Sequence, residues 1–157
     1  MLTPAQFQTL GAYIAADPVL SAYPLNSDGA YEIAAALNLP ASPAFYVWRS
    51  DYSPEQMRAA IVNGITQLDA LTASKRDSLL WLSQGVVNAG LTSSRAAFDD
   101  LTGSQNTLKA SLLDGAKRAA SRAEKVFATG TGTLAAPAVA GWNGSLSYQD
   151  VEQARSL

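Results

Sequence analysis

Apolar side chains recur at helical spacing along most of the chain. Phe7, Leu10 and Ile14 follow Thr3-Pro4-Ala5-Gln6, in which Thr3 caps, Pro4 takes the first helical position and Gln6 completes a capping box. Asp17-Pro18 ends that run. A second helix is expected from Ser27-Asp28 to just before Pro40, with Tyr31, Ala34 and Leu37 on one face. Ser53-Pro54-Glu55-Gln56 repeats the cap signature ahead of a stripe of Met57, Ile61, Ile65 and Leu68. Gly64 inside that stripe costs about 1 kcal/mol against alanine and marks either a close helix contact or a weak point. Residues 72–88 read as a further helix, with Leu79, Leu82 and Val86 on one face and Leu80 and Val87 alongside. Asn88-Ala89-Gly90-Leu91 is expected to close it as a left-handed cap. Ser93 or Ser94 starts a short piece holding Phe98 and Leu101, which Gly103 terminates. The longest helix is expected over 105–127, along Leu108, Leu112, Ala116, Ala119, Ala123 and Phe127. Small residues through its middle let a neighbour approach, which places it at the centre of a small helical bundle. The fold class is mainly α.

Two segments depart from this pattern. Ala44 to Arg49 holds the β-branched and aromatic run Phe45-Tyr46-Val47-Trp48, too short for a helix. It reads as an isolated strand, an extended crossover, or an edge that pairs with another chain. Residues 128–144 are rich in Gly, Thr, Ala and Pro and contain Trp142. That composition favours an extended arm over a helix or strand. Ser147 then caps a last short helix, with Asp150 in its first turn. The expected organisation is a helical body over 1–127 and a C-terminal arm over 128–157.

Composition narrows the chemistry. Of 157 residues 29 are alanine, so the apolar mass is rich in methyl groups rather than bulky. Eleven basic and thirteen acidic residues leave a net charge of −2, which gives no global attraction to nucleic acid. Histidine and cysteine are both absent. That excludes a Ser-His-Asp triad, a thiolate nucleophile, disulfides and the usual structural zinc sites. No apolar window reaches the length of a membrane span, and the N-terminus lacks a signal-peptide pattern, so a soluble intracellular product without membrane contact is expected.

The remaining constellations carry little catalysis. Gly130-Thr131-Gly132-Thr133 lacks a preceding strand, a following helix and the phosphate-loop lysine, and reads as a flexible exit from a helix. Asp99 and Asp100 are adjacent and diverge by about 100° on a helix. No catalytic residue, metal ligand or cofactor is therefore expected, although two distant carboxylates meeting in space would leave a hydrolase open. Lys117, Arg118, Arg122 and Lys125 concentrate positive charge towards the end of the expected long helix. Arg118, Arg122 and Lys125 stand at i, i+4 and i+7, on one face, where they either complement the helix dipole or meet an acidic partner or a nucleic-acid backbone. Trp48 is balanced between core and contact. Trp142, on a stretch with little to pack against, is expected to anchor a neighbouring subunit.

Three stretches, Ala41-Ser42-Pro43-Ala44-Phe45-Tyr46-Val47-Trp48-Arg49, Ser121-Arg122-Ala123-Glu124-Lys125-Val126-Phe127-Ala128-Thr129-Gly130-Thr131-Gly132 and Leu146-Ser147-Tyr148-Gln149-Asp150-Val151-Glu152, stand out. With the opening Leu2-Thr3-Pro4-Ala5-Gln6, they resemble small proteins from the structural gene clusters of tailed bacteriophages. The resemblance is patchy, leaves residues 51–104 unmatched, and is closest in outline to the head–tail connector (adaptor) proteins of the neck. It implies a non-enzymatic virion protein, made in the host cytoplasm, that forms a ring between portal and tail. Its partners would be the portal protein, neighbouring copies of itself and a further neck or tail protein, with genome DNA passing through the ring. Contacts would fall to Arg118, Arg122, Lys125, Trp142, Leu146, Tyr148, Val151 and Trp48. A capsid-associated, tail or assembly protein of the same clusters would read similarly. A small DNA-binding regulator and a carboxylate-dependent hydrolase are the alternatives outside that class.

Overall fold

The computed structural model describes residues 1–157 as nine helices and one two-stranded sheet, a mainly α fold. Its helix starts follow local chemistry. At α1 (Pro4–Ala16) the Thr3 hydroxyl accepts the Gln6 N–H at 3.3 Å, and the Gln6 side chain accepts the Thr3 N–H at 2.9 Å. The same reciprocal pair forms between Ser53 and Gln56 at α3 (Pro54–Asn63) and between Ser147 and Asp150 at α9 (Tyr148–Arg155). Each satisfies N–H groups that a helix start leaves without partners. At α2 (Ser27–Asn38) the cap is Asn26, which accepts from Gly29 at 2.9 Å.

The chain's contacts divide it into two units, residues 1–46 with 119–157, and residues 47–118. In the first, α1, α2, α9 and the short α8 (Arg122–Phe127) enclose Phe7, Leu10, Ile14, Ile33, Leu37, Ala123 and Val151. The buried face of α2 is Ala30, Ile33, Ala34 and Leu37, and Tyr31, expected on it, is 65% exposed. Gly11 lets α1 lie against α9, because a Cβ there would run into the carbonyl oxygen of Ala154. Asn38 fixes the approach to α9: its amide donates to the Leu146 carbonyl at 2.9 Å and accepts the Leu146 N–H at 2.8 Å.

In the second unit α7 (Asn106–Gly115) contacts α3, α4 (Ile65–Leu68) and α6 (Thr92–Thr102), and α5 (Ala73–Leu82) packs on α6. Met57, Ile61, Leu79, Phe98, Leu108 and Leu112 surround the buried ring of Tyr52, which meets Phe98 edge-on at 6.2 Å. Both readings of Gly64 hold. The helix is interrupted there, between α3 and α4, and a Cβ would sit 2.7 Å from the Leu108 Cα.

Three sequence expectations give way to tertiary contacts. The helix expected over 72–88 stops at Leu82, and Val86 is exposed. Val87 instead exchanges backbone bonds with Tyr52, at 3.0 and 3.1 Å, and Gly90 has no left-handed backbone. Gly103 does end α6, at φ +55°. The long helix expected over 105–127 is two helices, α7 and α8, with strand β2 (Lys117–Ala119) between them. β2 pairs with β1 (Tyr46–Trp48), which answers what the aromatic run does: it is a strand whose partner lies in the same chain. Arg49 donates to Ala116 and Ala120 donates to Phe45, so the ladder is antiparallel.

The third is the arm. Residues 128–147 form no helix, and α9 follows them as expected, but the stretch does not stand free. Thr129 and Val139 exchange backbone bonds at 2.9 Å, Tyr46 donates to Gly132 at 2.7 Å, and Ala138 donates back to Tyr46 at 2.9 Å. Ala138, Leu146, Val151 and Ala154 are buried. The apolar stripe of α9 covers side chains of α1 and α2 that would otherwise face water, so the stretch belongs to the first unit instead of forming a separate arm.

Candidate interaction surfaces

The basic cluster is dispersed by the break between α7 and α8. Arg118 lies on β2, Arg122 opens α8 and Lys125 occupies its last turn, so the shared helical face at i, i+4 and i+7 does not exist. Arg122 donates to Asp17 at 3.1 Å, and the Lys125 ammonium lies 5.5 Å from the centre of the Phe45 ring. Lys117 binds Asp114 at 2.8 Å. Arg122 is a cation at a helix N-terminus, which the dipole disfavours by a few tenths of a kcal/mol, and the Asp17 carboxylate offsets this.

Of the apolar candidates, Leu146 and Val151 are core side chains, buried in the first unit and closed to a partner. Trp142 is half-buried and meets Phe127 edge-on at 5.6 Å, so its packing partner comes from the end of α8, outside the 128–144 stretch. Tyr148 remains exposed on α9. Trp48 is half-buried, with the Arg95 guanidinium 4.9 Å and the Lys117 ammonium 5.9 Å from its ring. Arg95 is itself fastened to the Ala89 and Gly90 carbonyls at 2.6 and 2.8 Å. These cation–π contacts orient Trp48 within the second unit.

Asp99 and Asp100 diverge as their adjacency requires, Asp99 pairing with Lys109 and Asp100 with Lys75. No three His, Cys, Asp or Glu side chains converge to hold a metal, and no helix is long and apolar enough to cross a membrane. Burial pushes the Tyr52 phenol up to about 12, against a smaller opposing effect of Arg49.

Sequence reasoning passed over the most exposed aromatic residue. Trp81, on α5, is 72% exposed and borders a hollow of about 350 Å³ with Val86. Its signal was present in the sequence, since the buried stripe of α5 runs through Leu79 and leaves position 81 on the opposite side. On the first unit, α1 and the end of α9 border a groove of about 600 Å³ whose walls include Gly11, Ala12, Ala15 and Ala154. Arg155 enters that groove with its guanidinium fastened to the Tyr23 and Pro24 carbonyls, each at 2.9 Å.

The fold therefore defines a mainly helical protein of two units with exposed apolar surface on each. No family model, curated protein or solved structure matches the chain.

Proposed function

We propose that this chain is a structural virion protein of a tailed bacteriophage, a head–tail adaptor that assembles as a ring between portal and tail. The observation that carries the reading is where the phage-like stretches fall. Segments far apart in the sequence meet in the first unit: Ala41 donates to Ala120, Tyr46 to Gly132 and Arg122 to Leu39, while Asn38 clamps Leu146. Residues 2–6, 41–46, 121–132 and 146–152 of the phage-like stretches thus fall in one packed unit, with residues 47–49 continuing into the second. The Tyr46–Gly132 bond joins two of the stretches directly, which supports a shared fold over a chance likeness of scattered motifs. Exposed apolar side chains on the second unit, with Trp81 foremost, supply the kind of anchor an assembling subunit uses.

Quantitative mass spectrometry of purified particles tests this reading, by counting the chain against the major capsid protein. About a dozen copies is the expected result, in keeping with a closed ring. A count in the hundreds would move the chain to the shell or tail tube, and absence from the particle would overturn the structural reading.

A further inference from the structure

Two exposed surfaces, one on each unit, are not used by the packing of the fold described above. The first is the exposed face of α5. Trp81 and Val86 border one hollow, and Asp77 stands one helical turn before Trp81, exposed and on the same side. An indole and a carboxylate are thus presented together. The second is the groove on the first unit, apolar along Gly11, Ala12, Ala15 and Leu25, with Arg155 as its one charged wall residue. At about 600 Å³ it falls within the size range of sites that enclose a drug-sized molecule, about 300–1,000 Å³. Because two backbone carbonyls hold the guanidinium in place, a partner aromatic or carboxylate meets it without first ordering a long side chain.

We infer that Trp81 of one copy seats in the Gly11–Ala15 groove of a second copy, with Asp77 set against Arg155. The inference deepens the structural reading above by naming the residues through which copies associate. Charge favours this occupant. Residues 1–46 and 119–157 carry six acidic and three basic side chains, whereas residues 47–118 carry seven acidic and eight basic. Pairing groove unit with groove unit would set net −3 against net −3, while pairing it with the Trp81 unit sets −3 against +1. The contact is therefore heterologous. An associated pair keeps one free groove on one copy and one free tryptophan on the other, and association continues from copy to copy until a ring closes or a filament grows.

The test uses the full chain and sedimentation velocity over a concentration series. The wild-type chain is expected to self-associate. Trp81→Ala and Ala15→Glu, both at exposed positions, are each expected to weaken association about thirtyfold or more, and Asp77→Lys about tenfold. The decisive sample is a mixture of Trp81→Ala and Ala15→Glu. The first retains a groove and the second a tryptophan, so the pair should form a capped heterodimer and nothing larger. A wild-type chain that stays monomeric throughout would overturn the inference, as would a Trp81→Ala chain that associates like wild type, or a mixture that forms no heterodimer. The two readings fail separately. A chain counted at the neck but monomeric alone removes this contact and keeps the adaptor, whereas a chain that associates in this way but is missing from particles does the reverse.

Discussion

The Arg122 guanidinium donates to the Asp17 carboxylate at 3.1 Å, tying the first residue of α8 to the residue that caps α1. Asp17 holds more than this pair, because its other oxygen accepts the N–H groups of Val19 and Leu20 at 2.9 and 3.1 Å. Those bonds, Leu20 first, and the nearby Arg122 hold the carboxyl below its ordinary value of 3.8 despite an opposing effect of burial.

Asp17→Ala should therefore lower stability by about 1–3 kcal/mol and Arg122→Ala by no more than about 1 kcal/mol, since the backbone bonds survive the second change. Because the folded-state value is depressed, the stabilisation is fully present above the ordinary carboxylate range. It is lost as pH falls through the lower folded-state value. Denaturant midpoints between neutral and acid pH check both, and an equal loss from the two variants would contradict the hierarchy.

Tyr52 acts at the opposite end of the pH scale. Its phenol is buried and raised to about 12, so the unfolded chain releases this proton first, near 10. Stability conferred by the neutral phenol is complete below about pH 10 and declines as pH rises towards 12, by roughly 2–3 kcal/mol. Tyr52→Phe should flatten that decline. A phenolate absorbance titration of the native protein that shows every tyrosine ionising near 10 would contradict it.

The C-terminal helix is part of the core, and its removal should be felt there. Leu146→Ala is expected to cost about 2–5 kcal/mol, and Val151→Ala somewhat less because fewer methyl groups are lost. A chain ending at Phe127 would expose Leu10, Ile14, Ile33 and Leu37, and the first unit should lose its cooperative unfolding transition. Calorimetry and near-ultraviolet circular dichroism of the shortened chain read this directly. A native-like signal from α1 and α2 without α9 would refute the packing argument.

Gly11→Ala sets two effects of opposite sign against each other. Alanine raises intrinsic helix propensity by about 1 kcal/mol, but the added methyl points into the Ala154 carbonyl oxygen, and overpacking of this kind costs about 1–3 kcal/mol. Separation of α1 from α9 should win, with net destabilisation. A thermal midpoint raised by the substitution would mean that α9 moves aside freely.

Much of the helical framework was legible in the sequence because its signals are local. Thr3, Ser53 and Ser147 each bind a partner three residues on, so the residues that start the helix are the residues that name it. Ser121 and Glu124 form a fourth such pair, at 3.0 and 3.1 Å, and that pair marks the start of α8 inside a stretch whose alanine stripe also suits a continuous helix. Two local patterns competed there. Pairing with Tyr46–Trp48, which lies some seventy residues earlier in the chain, decided between them.

The candidate site was less legible. Arg118, Arg122 and Lys125 formed a patch only on a helix that is not built, and Leu146 and Val151 were freed only by an arm that is not free. The position of Trp81 opposite Leu79 was legible from helical spacing, but whether another element covers that side is set by the tertiary fold, which leaves the ring exposed.

By itself the sequence determined the mainly α class, the starts of α1, α3 and α9, the stop at Gly103, and the lack of histidine and thiol chemistry. Each follows from composition or from bonds that close within a few residues. Only the tertiary structure decided that residues 128–157 join α1 and α2, that 105–127 is two helices around a strand, and that Trp81 faces water while Val151 does not. Those outcomes depend on which distant apolar surfaces cover one another, and covering is a property of the folded chain as a whole, since the hydrophobic effect has no direction along the sequence.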